Sequence, residues 1–232
     1  MLERQAIDRG AILYDPRRVG EPDARIFEPD HWRARGALRE LAAGRGSVQL
    51  IEDDARSWVL RRYLRGGFAA RFARDRYLWL GEERTRSFRE LRLLDVLRSL
   101  GLPVPPPVAG HYRRAGLAYR AELITERLAG ARSMEDVLAA GPMAEARWAE
   151  IGRCLRRFHD AGVQHADLNC RNVMLGTQGE VWVLDFDRGR IREPGAWRGR
   201  VLDRLARSLA KSGKGPHDWQ SGFEILRRAH DA

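Results

Sequence analysis

One stretch constrains this chain more than any other: HADLNCRNVMLGTQGEVWVLDFD, from His165 to Asp187. The VML triplet and the run EVWVLDF read as strands and GTQG as the turn between them, so a loop leads into a hairpin. Asp167 and Asn172 lie five positions apart on the loop, close enough for a carboxylate and an amide oxygen to face one pocket. Asp185 lies 18 positions beyond Asp167 (185 minus 167), and the hairpin can return it to the same place. Phosphoryl transfer asks for this set: magnesium held by oxygen ligands and a residue that orients the attacking hydroxyl. Two rivals compete. Cys154, His159, His165 and Cys170 have the spacing C-x4-H-x5-H-x4-C, which invites zinc, but Cys154 falls on an apolar helical pattern and no close cysteine pair is present. Turn chemistry alone accounts for any single Asp or Asn here, but poorly for the joint pattern.

The rest of the chain supplies the surroundings. Residues 1–27 show no clear element, and Asp30 to Ala43 reads as a short helix. After the break Gly44-Arg-Gly-Ser47, VQLIE and SWVLRRYL read as strands joined by the polar turn DDAR. Val59 and Arg61 share one face of the second strand. Residues 65–86 are arginine-rich with interleaved aromatics. Apolar positions 88, 91, 94, 97 and 100 predict a helix from Ser87 to Leu100, stopped by Gly101 and the cluster PVPPP. LAYRAELIT (117–125) predicts a strand. Ser133–Ala140 and Met143–Ala161 predict helices, the longer with Trp148, Ile151, Leu155 and Phe158 on one side. Helices around Trp197–Lys211 and near Trp219–Ala229 close the chain. Strands and one helix first, mostly helices afterwards, predict an α+β protein. Its small β-rich lobe would be residues 1–125 and its larger, mainly helical lobe residues 126–232, with a shared cleft.

Charge and composition narrow the partners. The formal charge is +10, and of 42 basic residues only Lys211 and Lys214 are lysine. Biased codon usage explains most of that arginine excess, yet the positive field remains, and arginine forks suit phosphates and carboxylates. No recognisable base-reading motif accompanies the charge, so no nucleic acid partner is expected. No apolar run approaches a membrane span, the N-terminus lacks a signal-peptide core, and two cysteines make no disulfide framework. The expectation is a cytoplasmic protein.

HADLNCRN together with LDFD resembles the catalytic loop and metal-binding aspartate of the protein-kinase-like fold. Residues 61–77 (RRYLRGGFAARFARDRY), RTRSFRELRLL, GLPVPPPV and VWVLDFDRGRIR carry a narrower likeness, from about Trp58 to at least Arg192. They resemble the bacterial kinases of 3-deoxy-D-manno-octulosonic acid (Kdo), the lipopolysaccharide kinase family. The resemblance implies a two-lobed fold, ATP and Mg2+ as cofactors, and a Kdo-bearing lipid A precursor as acceptor. It also implies peripheral contact with the anionic cytoplasmic face of the inner membrane. Asp167 would orient the attacking hydroxyl, Asn172 and Asp185 would hold magnesium, and His165 would brace the loop. Arg61 falls where such enzymes place a phosphate-touching lysine, Glu90 would pair with it, and Gly44 and Gly46 would cover the phosphates.

Each small-lobe assignment keeps a plain alternative. Arg61 also reads as an exposed strand arginine, Glu90 as the end of a capping box begun by Ser87, and Gly44 with Gly46 as a turn rivalled by Gly66-Gly67. The segment 65–86 is a candidate grip on the acceptor or the membrane surface, against a solvated basic face. In the helix near 197–211, Val201, Leu202, Leu205 and Leu209 form a stripe for the core or for a membrane surface. A heptose kinase of the same pathway, or another small-molecule or protein kinase, is the alternative function. Outside catalysis stand a nucleotide-binding pseudokinase and a nucleic-acid-binding adaptor.

Overall fold

The N-terminal residues form a hairpin that apolar alternation does not announce. In the computed structural model, which describes residues 1–40, 48–64, 75–212 and 219–232 (Glu40 by its backbone alone), Glu3–Ile7 (β1) pairs with Gly10–Tyr14 (β2). Arg9 turns the chain at φ 56°. Residues 1–27 therefore do hold structure. The last four residues of β2 are buried in succession, so that strand reads as an apolar run and not as an alternating one.

Pro16–Val19 (α1) is a single turn capped by Asp15. Pro29–Ala34 (α2) is the helix expected to reach Ala43, and it stops nine residues short (43 minus 34). The left-handed Gly36, φ 67°, lets its amide donate to the Arg33 carbonyl while Ala37 donates to Trp32, both at 3.0 Å. This closes the last turn, and Leu38–Glu40 (β3) leaves as a strand. The remainder of the expected helix, 41–43, lies outside the described residues.

Val48–Asp53 (β4) and Arg56–Arg62 (β5) form the predicted hairpin. Tyr77–Leu78 (β6), Arg86–Ser99 (α3), Pro107–Ala115 (β7) and Ala118–Glu126 (β8) follow. The strand β7 has no counterpart in the sequence reading, where its leading prolines marked only a helix stop. Pro107 opens the strand, a position where proline is tolerated, and residues 107–112 are buried without a break. Among the described residues the sheet is antiparallel, in the order β1-β2-β7-β8-β5-β4-β3, with β6 also on β8.

The chain divides into two compact units: 1–95 with 106–127, and 96–105 with 128–232. In the first, Ile12, Trp32, Ile51, Trp58, Leu60, Val108 and Ile124 make one core. Phe88 of α3 meets Tyr112 at 5.3 Å, and the Ser87 hydroxyl donates to the His111 carbonyl at 2.8 Å.

In the second unit Arg132–Ser133 (β9) leads into Met134–Ala140 (α4), capped by the Ser133 hydroxyl. Glu145–Asp160 (α5), Val163–Gln164 (β10), Val173–Leu175 (β11), Val181–Val183 (β12), Arg190–Ile191 (β13), Trp197–Ser212 (α6) and Trp219–Asp231 (α7) complete it. Strands β12-β11-β9 form a small sheet, and β10 pairs with β13. The stripe Val201, Leu202, Leu205 and Leu209 of α6 is buried with Trp197, so the protein core takes the face that a membrane surface was the alternative for. No described helix is long and apolar enough to cross a membrane.

Candidate active site

The loop between β10 and β11 is held by its own polar groups. His165 is buried; its Nε2 donates to the Leu184 carbonyl at 2.8 Å and its Nδ1 accepts the Asp167 amide at 3.1 Å. That pairing requires the neutral ring, and burial holds the imidazole below its ordinary pKa in agreement. Leu168 is fully buried and anchors the loop beneath the exposed Asp167. Asn169 and Asn172 each send a side-chain N–H to the Asp167 carbonyl, at 2.9 and 3.2 Å. The Asn169 oxygen receives the Arg171 amide at 3.0 Å, and the Cys170 amide donates to the Ser208 hydroxyl of α6, also at 3.0 Å.

Asp185 is tied to the same loop through its neighbour. The Leu184 amide donates to the Asn172 carbonyl at 2.8 Å, while the Leu184 carbonyl receives His165. Phe186 is buried against Phe158 (5.7 Å) and His165 (4.9 Å). Between these anchors Asp185 takes φ 64°, a left-handed conformation that costs a non-glycine residue on the order of 1 kcal/mol. The buried Phe186 and the Leu184 bonds offset that strain and fix where the carboxylate leaves the chain.

The donor chemistry suits a hard cation. Asp185 offers carboxylate oxygens, and committing the Asn172 amino group to Asp167 leaves its amide oxygen to serve as a ligand. The zinc quartet does not assemble. Cys154 sits against the Val181 carbonyl, His159 against His230, His165 against Leu184, and Cys170 against Ser208.

One contact at Asp167 is not legible in the sequence. Arg204 of α6 donates to the Asp167 carboxylate at 3.1 Å. The catalytic-loop motif says nothing about a residue 37 positions away. In a chain this rich in arginine, Arg204 does not stand out by type.

In the first unit Arg61 and Glu90 meet, with Nη2 2.5 Å from Oε2. Glu90 is buried and also accepts the Tyr63 hydroxyl at 2.7 Å. The helix already begins at Arg86, so Ser87 is not its N-cap and the capping-box reading of Glu90 lapses, while the ion pair is present. Gly44, Gly46, Gly66 and Gly67 lie outside the described residues, as do 65–74 of the arginine-rich segment.

The model of the lipopolysaccharide kinase (Kdo/WaaP) family matches residues 30–224, and the chain belongs to that family. Among similar proteins, the 3-deoxy-D-manno-octulosonic acid kinase of Stenotrophomonas maltophilia strain K279a is 47% identical over 226 residues, covering 96% of this chain and 90% of the relative. The enzymes of that name from Xanthomonas axonopodis pv. citri (44% over 232 residues, 98% and 92% covered) and Xylella fastidiosa (45% over 227 residues, 96% and 90%) are similar over nearly their whole length.

Proposed function

We propose that this protein is a kinase that transfers the γ-phosphoryl group of ATP to a hydroxyl of Kdo on a lipid A precursor, in assembly of the lipopolysaccharide core. Its whole-length similarity to enzymes of that name carries the reading. The finer architecture in this reading is protein-kinase-like, with the sheet-rich unit as the small lobe and the helical unit as the large one.

Asp167 is the residue that orients the acceptor hydroxyl and takes its proton. As the hydroxyl oxygen bonds to the γ-phosphorus, the bond to the β-phosphate oxygen breaks and ADP leaves. Asn172 and Asp185 would hold magnesium, which would supply neutralising charge for the phosphate oxygens. Arg61, oriented by Glu90, holds phosphate oxygens in its fork. Its planar guanidinium makes this contact wider and more directional than a lysine would.

Peripheral contact with the anionic inner-membrane surface belongs to the same reading, since the acceptor is lipid-linked. The support lies in the first unit. Leu78 and Leu80 are exposed on either side of Trp79, whose amide donates to the carbonyl of the exposed Leu117 at 2.9 Å. A cavity of about 470 Å³ beside them is lined by Arg9, Trp79, Tyr112 and Arg114. Exposed leucines, an indole and arginines together suit an anionic interface.

The test is labelled ATP offered with Kdo-bearing lipid A precursor, heptose-bearing core and a generic protein, side by side. Label is expected in the Kdo acceptor alone. Label in the heptose acceptor and not in Kdo would move the assignment to the heptose kinase.

A further inference from the structure

A cavity of about 360 Å³ opens beside Asp167, and among the described residues its lining belongs to the second unit. Its charge is unbalanced. Arg171, Arg204, Arg207 and Lys211 line it, opposed by the carboxylates of Glu135 and Asp167. Each carboxylate is matched to one arginine: Glu135 to Arg171 at 2.7 Å, Asp167 to Arg204 at 3.1 Å. Among the described residues Arg207 and Lys211 have no carboxylate partner, which leaves two cations facing the cavity.

The helix that carries these cations is fixed in place. Positions 204, 207, 208 and 211 follow the i, i+3, i+4, i+7 spacing of one helix face, so α6 presents its cations together. Ser208, on that face, accepts the Cys170 amide at 3.0 Å and docks α6 on the loop that carries Asp167. A surplus guanidinium and ammonium in the cavity that Asp167 also lines favours an anion.

We propose that this cavity receives an oxyanion of the acceptor, a carboxylate or a phosphate, and that Arg207 and Lys211 set specificity for an acidic sugar substrate. The inference rests on the kinase reading above for the role of Asp167. An octulosonic acid carries a carboxylate on the sugar that bears the reacting hydroxyl; a lipid A precursor adds phosphates farther off. Gripping either one places the hydroxyl at Asp167 and spends acceptor binding on orientation.

The test uses the full chain and the double variant Arg207→Gln/Lys211→Gln. Initial rates are measured on Kdo-bearing lipid A precursor, on the same lipid with the Kdo carboxyl reduced to an alcohol, and on the same lipid stripped of its phosphates. The variant is expected to raise KM for the intact acceptor about tenfold or more, the loss of one charge-assisted hydrogen bond, with KM for ATP held within about twofold. That penalty vanishes on the reduced acceptor if the cavity holds the carboxylate, and on the stripped acceptor if it holds a phosphate. An equal penalty on all three acceptors, or one in KM for ATP instead, overturns the proposal. Calorimetric titration of the intact lipid acceptor, with a non-hydrolysable ATP analogue present, reads the cavity without turnover. If wild type transfers no phosphate, the kinase reading fails by itself. The cavity then stands if the acceptor binds wild type about tenfold tighter than the variant, and falls if the two bind alike or not at all.

Discussion

Glu90 is a carboxylate committed to the interior, and its partners say why it is tolerated there. Arg61 supplies the opposite charge and Tyr63 a hydroxyl, so the buried group is both paired and hydrogen-bonded. Glu90→Gln would remove the carboxylate that orients the Arg61 fork and leave weaker contacts, such as that with Tyr63, to hold it. KM for ATP is expected to rise roughly tenfold, the loss of about 1.4 kcal/mol of phosphate binding, in steady-state kinetics with acceptor saturating. Tyr63→Phe removes one neutral donor and should cost stability of about 1 kcal/mol in denaturant melts while leaving that KM nearly unchanged. The placement of the candidate loop was legible because Asp167, Asn172 and Asp185 fall in one short segment, whose hairpin returns Leu184 to the Asn172 carbonyl; their roles are those proposed above. Arg204 and Tyr63 were not legible, because nothing local to their sequence marks which strand or helix they will face. Gly44 and Gly46 remain expectations from the sequence, outside the described residues.

Elements were legible where their apolar period was clean and hidden where burial ran on both faces. The strands β4 and β5, the helices α3 to α7 and the β11–β12 hairpin follow the sequence to within a few residues. The strands β7 and β2 did not show, since continuous burial removes the alternation that identifies a strand, and β1 did not because it is exposed or half-buried throughout. In α2 the helical pattern ran past a glycine whose positive φ ends it. The helices α5 and α7 pack closely enough that glycine becomes a requirement. A Cβ at Gly152 would overlap the Leu226 carbonyl oxygen, and one at Gly222 would overlap the Trp148 indole. Because the obstacle at Gly152 is backbone, Gly152→Ala is expected to cost roughly 1–3 kcal/mol by pushing α7 away. A fall of several degrees in melting temperature checks it; an unchanged melt would show that the two helices have slack.

For the whole molecule, pH and membrane contact give the broadest tests. Burial, with His230 and Arg198 nearby, pushes His159 down to about 3, against an ordinary value near 6.5. The unfolded chain therefore takes up a proton that the folded chain refuses. Stability is flat above about pH 6.5 and falls as pH drops toward about 3, by about 1.4 kcal/mol per unit for this histidine. His165 adds loss in the same direction. Chemical denaturation at a series of pH values should show that slope, and His159→Phe should flatten it. The protein is expected to float with anionic vesicles at low salt, and Leu78→Ser/Leu80→Ser/Leu117→Ser to abolish flotation while leaving the melting temperature in place. Flotation that survives the triple change would put the contact elsewhere.

Turnover and nucleotide binding measured on one sample decide the central claim. Asp167→Ala is compared with wild type for phosphoryl transfer from labelled ATP to Kdo-bearing lipid A precursor, and for ATP affinity by calorimetry. The variant is expected to lose roughly 10²–10⁴-fold in rate with ATP affinity nearly unchanged, because in the proposed mechanism Asp167 acts on the hydroxyl and not on the nucleotide. Transfer at a near-normal rate in the variant would contradict the mechanism.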